Sequence, residues 1–208
     1  MYVPQHFKED DQETLQQIIR SYAFGLMIVA DGEGIEANHL PFHLNDGGSG
    51  NLGHLHCHVA RNNPVWQRLQ HGARVLVVFQ GPDAYVSPSW YPTKAETGRV
   101  VPTWNYLAVH AEGKARVIED PAWLIQHLNQ LTDQHEAGRS EPWSVDDAPS
   151  DFTGRLVEAI VGIEVKIESL TGKLKASQNL PERNRAGVKA GLEAEDKVQS
   201  RAMSEFIS

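Results

Sequence analysis

The chain reads as an α+β fold: an antiparallel β-sheet, closed or half closed into a barrel, with helices at its periphery. Two observations predict this. Six or seven stretches with strand chemistry follow one another, while helical periodicity is confined to the start, the middle and the end. No internal repeat, low-complexity tract or interdomain linker interrupts the 208 residues, so one domain spans 1–208, with 180–208 as a helical extension.

Each element has a local reason. Asp10 with Glu13 approaches a capping box, and Leu15, Ile18, Ile19 and Tyr22 recur at helical spacing, predicting a helix over 11–21. The apolar run 24–30 ends at Asp31-Gly32, and 35–44 follows with turn chemistry at 45–51, so two strands in a hairpin are expected. A third strand covers 52–61. Asn63 caps a short helix that has Pro64 at its first position and stops before His71-Gly72. Strands are expected at 74–79, at 84–87 and over 104–117, the last with a possible bulge at Gly113. Asp120-Pro121 opens a helix with Leu124, Leu128 and Leu131 on one face, ending before Gly138. A helix at 151–159 precedes a strand at 161–170, where Ile163, Val165 and Ile167 alternate with Glu164, Lys166 and Glu168. Pro181 starts a thinly apolar helical region through 205, expected to fray or to reach a partner subunit.

Composition narrows the function. Hydrophobic content of 40% with 22% charged residues is that of an ordinary globular chain, not a disordered or fibrous one. No run approaches the ~20 apolar residues of a membrane span, and 1–11 lacks the basic start and apolar stretch of a secretory signal, so a cytoplasmic protein is expected. Cys57 stands alone and reads as a small core residue. A net charge of −8 weighs against direct DNA binding. The charge is uneven, however: Lys166, Lys173, Lys175, Arg183, Arg185 and Lys189 face only Glu168 and Glu182 between 166 and 189, a patch that wants an anion or simply faces water.

The most informative phrases are VVFQGPDAYVSPSWY at 77–91 and VPTWNY at 101–106. A strand that only filled a core would use Val and Ile, whereas Tyr85, Ser87, Trp90, Thr103, Trp104 and Asn105 offer flat faces and hydrogen-bonding tips. That mixture suits a wall for a planar heterocycle. These phrases, with MYVPQHF at the start, EANHLPF at 36–42, HVARNNPVW at 58–66 and IVGIEVKIESLTGKLKASQN at 160–179, resemble the PaiB-type FMN-binding negative transcriptional regulators. The resemblance runs in order along essentially the whole chain. It implies the FMN-binding split barrel, an antiparallel β-barrel shared with pyridoxamine 5′-phosphate oxidases, and a homodimer whose two FMN sites lie at the subunit interface.

Residues able to serve such a site can be named. FMN needs cations or N–H groups at its phosphate, apolar contact along the ring and polar groups at the pyrimidine end. Alongside the resemblance, the candidates are His58, Arg61, Asn62, Ser87, Trp90, Thr103, Trp104, Asn105, Lys173, Lys175, Ser177 and Gln178. If 173–177 is extended, Lys173, Lys175 and Ser177 point the same way; Trp104 and Asn105 face opposite sides, so both serve one cavity only if the strand edge or the barrel mouth presents the backbone too, and otherwise one of them only packs. The polar stretch 93–100 is either a mobile lid or a passive surface loop.

His54, His56 and His58 share one strand face, with His39 and His43 on the neighbouring strand. Same-face neighbours stand about 6.5–7 Å apart, too far to converge on one ion without a bend, so no metal site is assigned. No catalytic residue is assigned either, because a flavin supplies its own redox chemistry. Two readings stand: a flavin-binding negative regulator of transcription, acting indirectly because no helix-turn-helix is visible, and a flavin-dependent oxidoreductase acting on a small molecule.

Overall fold

A computed structural model of the chain describes residues 1–48 and 51–208; positions 49 and 50 of the expected 45–51 turn lie outside the described residues. The strands are β1 (Lys8–Glu9), β2 (Phe24–Asp31), β3 (Gly34–Pro41), β4 (His43–Asn45), β5 (His54–Ala60), β6 (Arg74–Val86), β7 (Thr103–Ile118) and β8 (Ile160–Lys175). They form an antiparallel sheet in the order β3-β2-β6-β7-β8-β5-β4, with β1 added to β8; it is open, ending at β3 and β4. The helices are α1 (Gln12–Ser21), α2 (Val65–Arg68), α3 (Thr93–Thr97), α4 (Pro121–Glu136), α5 (Ser150–Glu158), α6 (Glu182–Ala194) and α7 (Val198–Ser204). The antiparallel split barrel with peripheral helices is therefore the fold, with eight strands in place of six or seven.

Several boundaries differ from expectation, and the strand expected over 35–44 is two, β3 paired with β2 and β4 paired with β5. The strands expected at 74–79 and 84–87 are one strand, β6. Its ladder with β2 ends at Val78, so Pro82 falls beyond that pairing. β8 continues five residues past 170, because Gly172 and Lys173 pair with Glu9 and Lys8. Gly172 allows this close pairing: a Cβ there would stand 2.2 Å from the Leu15 side chain and 3.1 Å from the Glu9 carbonyl oxygen. Gly113 leaves β7 uninterrupted, and its role is close approach, since a Cβ would meet the Lys166 carbonyl oxygen at 2.1 Å.

The chain forms two compact units: residues 1–15, 80–109 and 171–208 in the first, 16–79 and 110–170 in the second. In the second, Met27, Val29, Leu55, Cys57, Val59, Val75, Val77, Ile163 and Val165 form the buried alternate faces of their strands. Burial holds the Cys57 thiol far above the ordinary range. Trp123 and Leu124 of α4 lie against Gly162 so closely that a Cβ would stand 2.4 Å from the indole.

In the first unit, Val188 and Leu192 of α6, Met203 of α7 and Ile207 just beyond it cluster with Val86, Tyr91 and Ala176. Trp90 closes on α6 where Gly187 and Gly191 leave room for it. The expected fraying is therefore not seen. Four large side chains below 3% exposure contribute roughly 1.5–3 kcal/mol each, enough to order a helix pair of modest intrinsic propensity. Leu192→Ala is expected to lower unfolding free energy by about 2–5 kcal/mol, whereas Val198→Ala, on the exposed side of α7, should change it by less than ~0.5 kcal/mol. Urea titration of both variants checks this, and similar losses would contradict the packing of α6.

Candidate functional site

A cavity of about 330 Å³ opens in the first unit, with Lys175, Thr103 and Asn105 on one side and Phe7, Tyr91 and Arg99 among its other walls. Lys175 is the last residue of β8 and Thr103 the first of β7, so the strand ends set both. The Lys175 ammonium donates to Thr103 Oγ1 and lies 5.9 Å from the Phe7 ring centroid. Burial, and secondarily the charge of Lys173, hold its pKa below the ordinary lysine range. No carboxylate among the described residues pairs with Lys175 or Lys173; Lys173 donates to the Tyr2 carbonyl oxygen at 3.2 Å and sits over Tyr106 at 5.1 Å. Lys175 is thus a partly buried cation without a counter-ion, whereas Lys173 is not part of the cavity's lining.

Asn105, two residues after Thr103, is fully buried and donates through Nδ2 to Ser177 Oγ at 2.9 Å. Ser177 occupies the left-handed region with φ 64°. Extended geometry thus holds to Lys175 and breaks at Ser177, and the 173–177 stretch is a strand end turning toward α6. Gln178 builds that turn, its Oε1 accepting from Ala176 N at 2.7 Å and its Nε2 donating to the Leu174 carbonyl at 2.6 Å.

Four of the sequence-predicted residues, Thr103, Asn105, Lys175 and Ser177, line this cavity. Others in the same unit are placed differently. Ser87 caps a short turn by accepting from Ser89 N, and Trp90 packs on α6. Trp104, opposite Asn105 in the strand alternation, is 54% exposed and meets Tyr85 edge-on at 6.0 Å. The 93–100 stretch folds as α3 with a left-handed Gly98 cap, and Arg183 holds Glu96 through two bonds of 2.6 and 2.7 Å. Phe7 and Arg99 escaped prediction. Phe7 is brought in by the two-residue β1, too short for a periodic signal, and Arg99 lies in the polar stretch.

His58, Arg61 and Asn62 belong to the second unit. The Arg61 guanidinium is committed to Glu119 at 2.6 Å and to the carbonyls of Glu158 and Ile160, and Asn62 sits exposed in the turn after β5. His58 Nδ1 lies 3.0 Å from Nε2 of His127 on α4, while His56 faces Glu164 at 3.2 Å, with Arg116 on that carboxylate's other oxygen. His127, inside the Leu124–Leu131 apolar stripe and stacked on Trp123 at 5.3 Å, was not foreseen. His39 stands apart, stacked on Phe24. Among the described residues no group of three or more His, Cys, Asp or Glu side chains is arranged to hold a metal. A larger basin of about 760 Å³, near His54, Arg116 and Glu164, has no Phe, Tyr or Trp in its wall, and its Arg116 and Glu164 pair with each other at 2.9 Å.

An open antiparallel split barrel with a cation-lined, partly aromatic cavity defines a flavoprotein of the split-barrel class. The chain belongs to the family described as "Putative FMN-binding domain", whose model matches residues 1–169, and its cofactor is FMN. It is 31% identical over 207 residues to the protease synthase and sporulation protein PAI 2 of Bacillus subtilis, covering 100% of this chain and 96% of that one. Two solved structures share the fold at 16% identity: the FAD and heme binding protein of Mycobacterium smegmatis (TM-score 0.57, covering 81% of this chain and 73% of that one) and the flavocytochrome Anf3 of Azotobacter vinelandii (TM-score 0.60, 89% and 78%).

The histidine group sets a pH dependence. Burial, then the neighbouring His58, His56 and His43, lower the His127 pKa to about 3 from an ordinary 6.5. Between those values the unfolded chain binds the extra proton, so stability is full above about pH 6.5 and falls as pH drops toward 3. His56 and His58 are lowered by burial in the same direction. Unfolding free energy at pH 5 should be about 1–2 kcal/mol below that at pH 7, with a shallower profile for His127→Phe; a variant profile as steep as wild type would count against His127.

Proposed function

We propose that the chain is a cytoplasmic FMN-binding regulatory protein that works as a homodimer and restrains transcription indirectly, through a partner or a metabolite. The observation that carries the flavin part is Lys175, a partly buried cation without a carboxylate, set beside Thr103 in a cavity with aromatic walls. The residues fit the cofactor. Lys175, Thr103 and Arg99 would hold the phosphate, Phe7 and Tyr91 would lie along the apolar ring, and the mutually bonded Asn105 and Ser177 would keep the wall in shape. Bound FMN supplies redox chemistry; the chain's part is to bind and orient it.

At 330 Å³ the cavity lies at the low end of small-molecule sites, roughly 300–1,000 Å³. A second copy completing it is the economical reading, and the exposed Trp104–Tyr85 pair is an aromatic surface suited to that seam. The indirect route has its own support. The C-terminal cations are engaged within the chain: Arg183 with Glu96, Arg185 with the carbonyls of Ser208 and Leu180, Lys189 with Ile207, Lys197 with Glu195 and Arg201 with Asp196. Three of these five cations are paired with carboxylates, which weighs against a basic face for DNA phosphates. The same observation favours a second reading, a flavin-dependent oxidoreductase acting on a small molecule.

Protein mixed with FMN and desalted should keep the visible flavin band, and Lys173→Ala combined with Lys175→Ala should weaken binding about 10- to 100-fold. A colourless wild type, or a double variant that retains FMN as well, would overturn the site. Bleaching of that band by NADH or NADPH selects the oxidoreductase, and tight sequence-specific DNA binding in a gel shift at moderate salt refutes the indirect route.

A further inference from the structure

The second unit holds a cavity of about 410 Å³ that the flavin reading leaves unused. Leu128, Val145 and Ile160 line it, and Trp143, Phe152 and Leu156 form a rim in which each large side chain stays about half exposed, at 49%, 48% and 50%. Large apolar side chains left half in water and gathered around one concavity mark a binding surface. No Lys, Arg, Asp or Glu lines the cavity, and the strongest polar group in its wall is the His58 imidazole.

The protonation pattern of that imidazole follows from its neighbour. His127 is 1% exposed, its Nε2 lies 3.0 Å from His58 Nδ1, and its own Nδ1 is sealed without a partner. A buried unpaired N–H is costlier than an unpaired lone pair, so His127 carries its proton on Nε2 and donates it to His58 Nδ1. His58 is then protonated at Nε2. That atom has no partner among the described residues and is not among the sealed polar atoms, so it is a donor reachable from the cavity. We propose that this cavity binds an uncharged, apolar small molecule of aromatic-ketone size whose carbonyl oxygen accepts the His58 Nε2–H.

The occupant's charge follows from the lining. A carboxylate would lose its hydration against apolar walls with no cation to receive it, which costs several kcal/mol, whereas a ketone, ester or quinone oxygen needs a single donor. Burial also lowers the His58 pKa, which keeps the ring neutral at physiological pH. The site stands independently of the flavin reading, and its test uses no flavin signal.

Equilibrium dialysis of the full-length protein against 2-acetylnaphthalene and 2-ethylnaphthalene should give saturable binding of both, with the ketone about 3- to 10-fold tighter. His58→Phe should erase that preference while the hydrocarbon still binds, and Leu156→Glu, at the exposed rim, should weaken both at least about 10-fold. The infrared carbonyl stretch of the bound ketone should fall relative to its value in an apolar solvent, a readout on wild type that needs no variant. Failure of saturable binding, as when a second copy covers the rim, equal affinity for the two probes, a preference that survives in His58→Phe, or an unshifted carbonyl stretch would each overturn the proposal.

Discussion

The hydrogen bond from Asn105 to Ser177, sealed inside the first unit, is the constraint on which the candidate site depends. It ties the beginning of β7 to the turn that ends β8, and it does so with two almost fully buried polar groups. A buried amide deprived of its partner costs about 1–3 kcal/mol, so the turn at Ser177 is held where the amide needs it. Two residues earlier stands Lys175, and two residues before Asn105 stands Thr103; the strand period places both on the faces that meet the cavity. Gln178 closes the same turn with its own side chain, and Pro181 then allows α6 to begin. The cation is positioned by backbone geometry that the amide fixes, not by a counter-ion.

Much of the fold was legible because its signals are local. The alternation of Ile163, Val165 and Ile167, the Asp120-Pro121 start of α4 and the His71-Gly72 stop after α2 each depend on neighbours a few residues away. What stayed hidden depends on partners distant in sequence. Gly81-Pro82 looks like a strand break, but Gly81 is small because a Cβ would stand 2.8 Å from the Leu107 side chain, and Pro82 falls where the β2 ladder has ended. Gly172 reads as a turn and is a strand residue pressed against Leu15.

The site divides in the same way. The strand alternation around Thr103, Asn105 and Lys175 could be read from spacing, and it separates buried Asn105 from exposed Trp104 as expected. Phe7 and Arg99 could not, because one arrives through a two-residue pairing and the other from a loop. The histidine row announced itself, yet its chemical partner, His127, was invisible: an imidazole at an apolar helix position looks like any half-buried histidine until Trp123 and His58 are seen around it. Sequence spacing gives faces of elements; only packing gives the groups that meet across them.

The central claim is that an uncompensated lysine at the end of β8 receives the phosphate of FMN, and comparing FMN with riboflavin tests it most directly, since the two differ only in that phosphate. Fluorescence titration of wild type and Lys175→Met with both flavins should show FMN binding at least about 10-fold tighter than riboflavin in wild type, with the gap shrinking in the variant while riboflavin affinity holds. Equal affinities in wild type, or a gap that Lys175→Met leaves intact, would contradict the account.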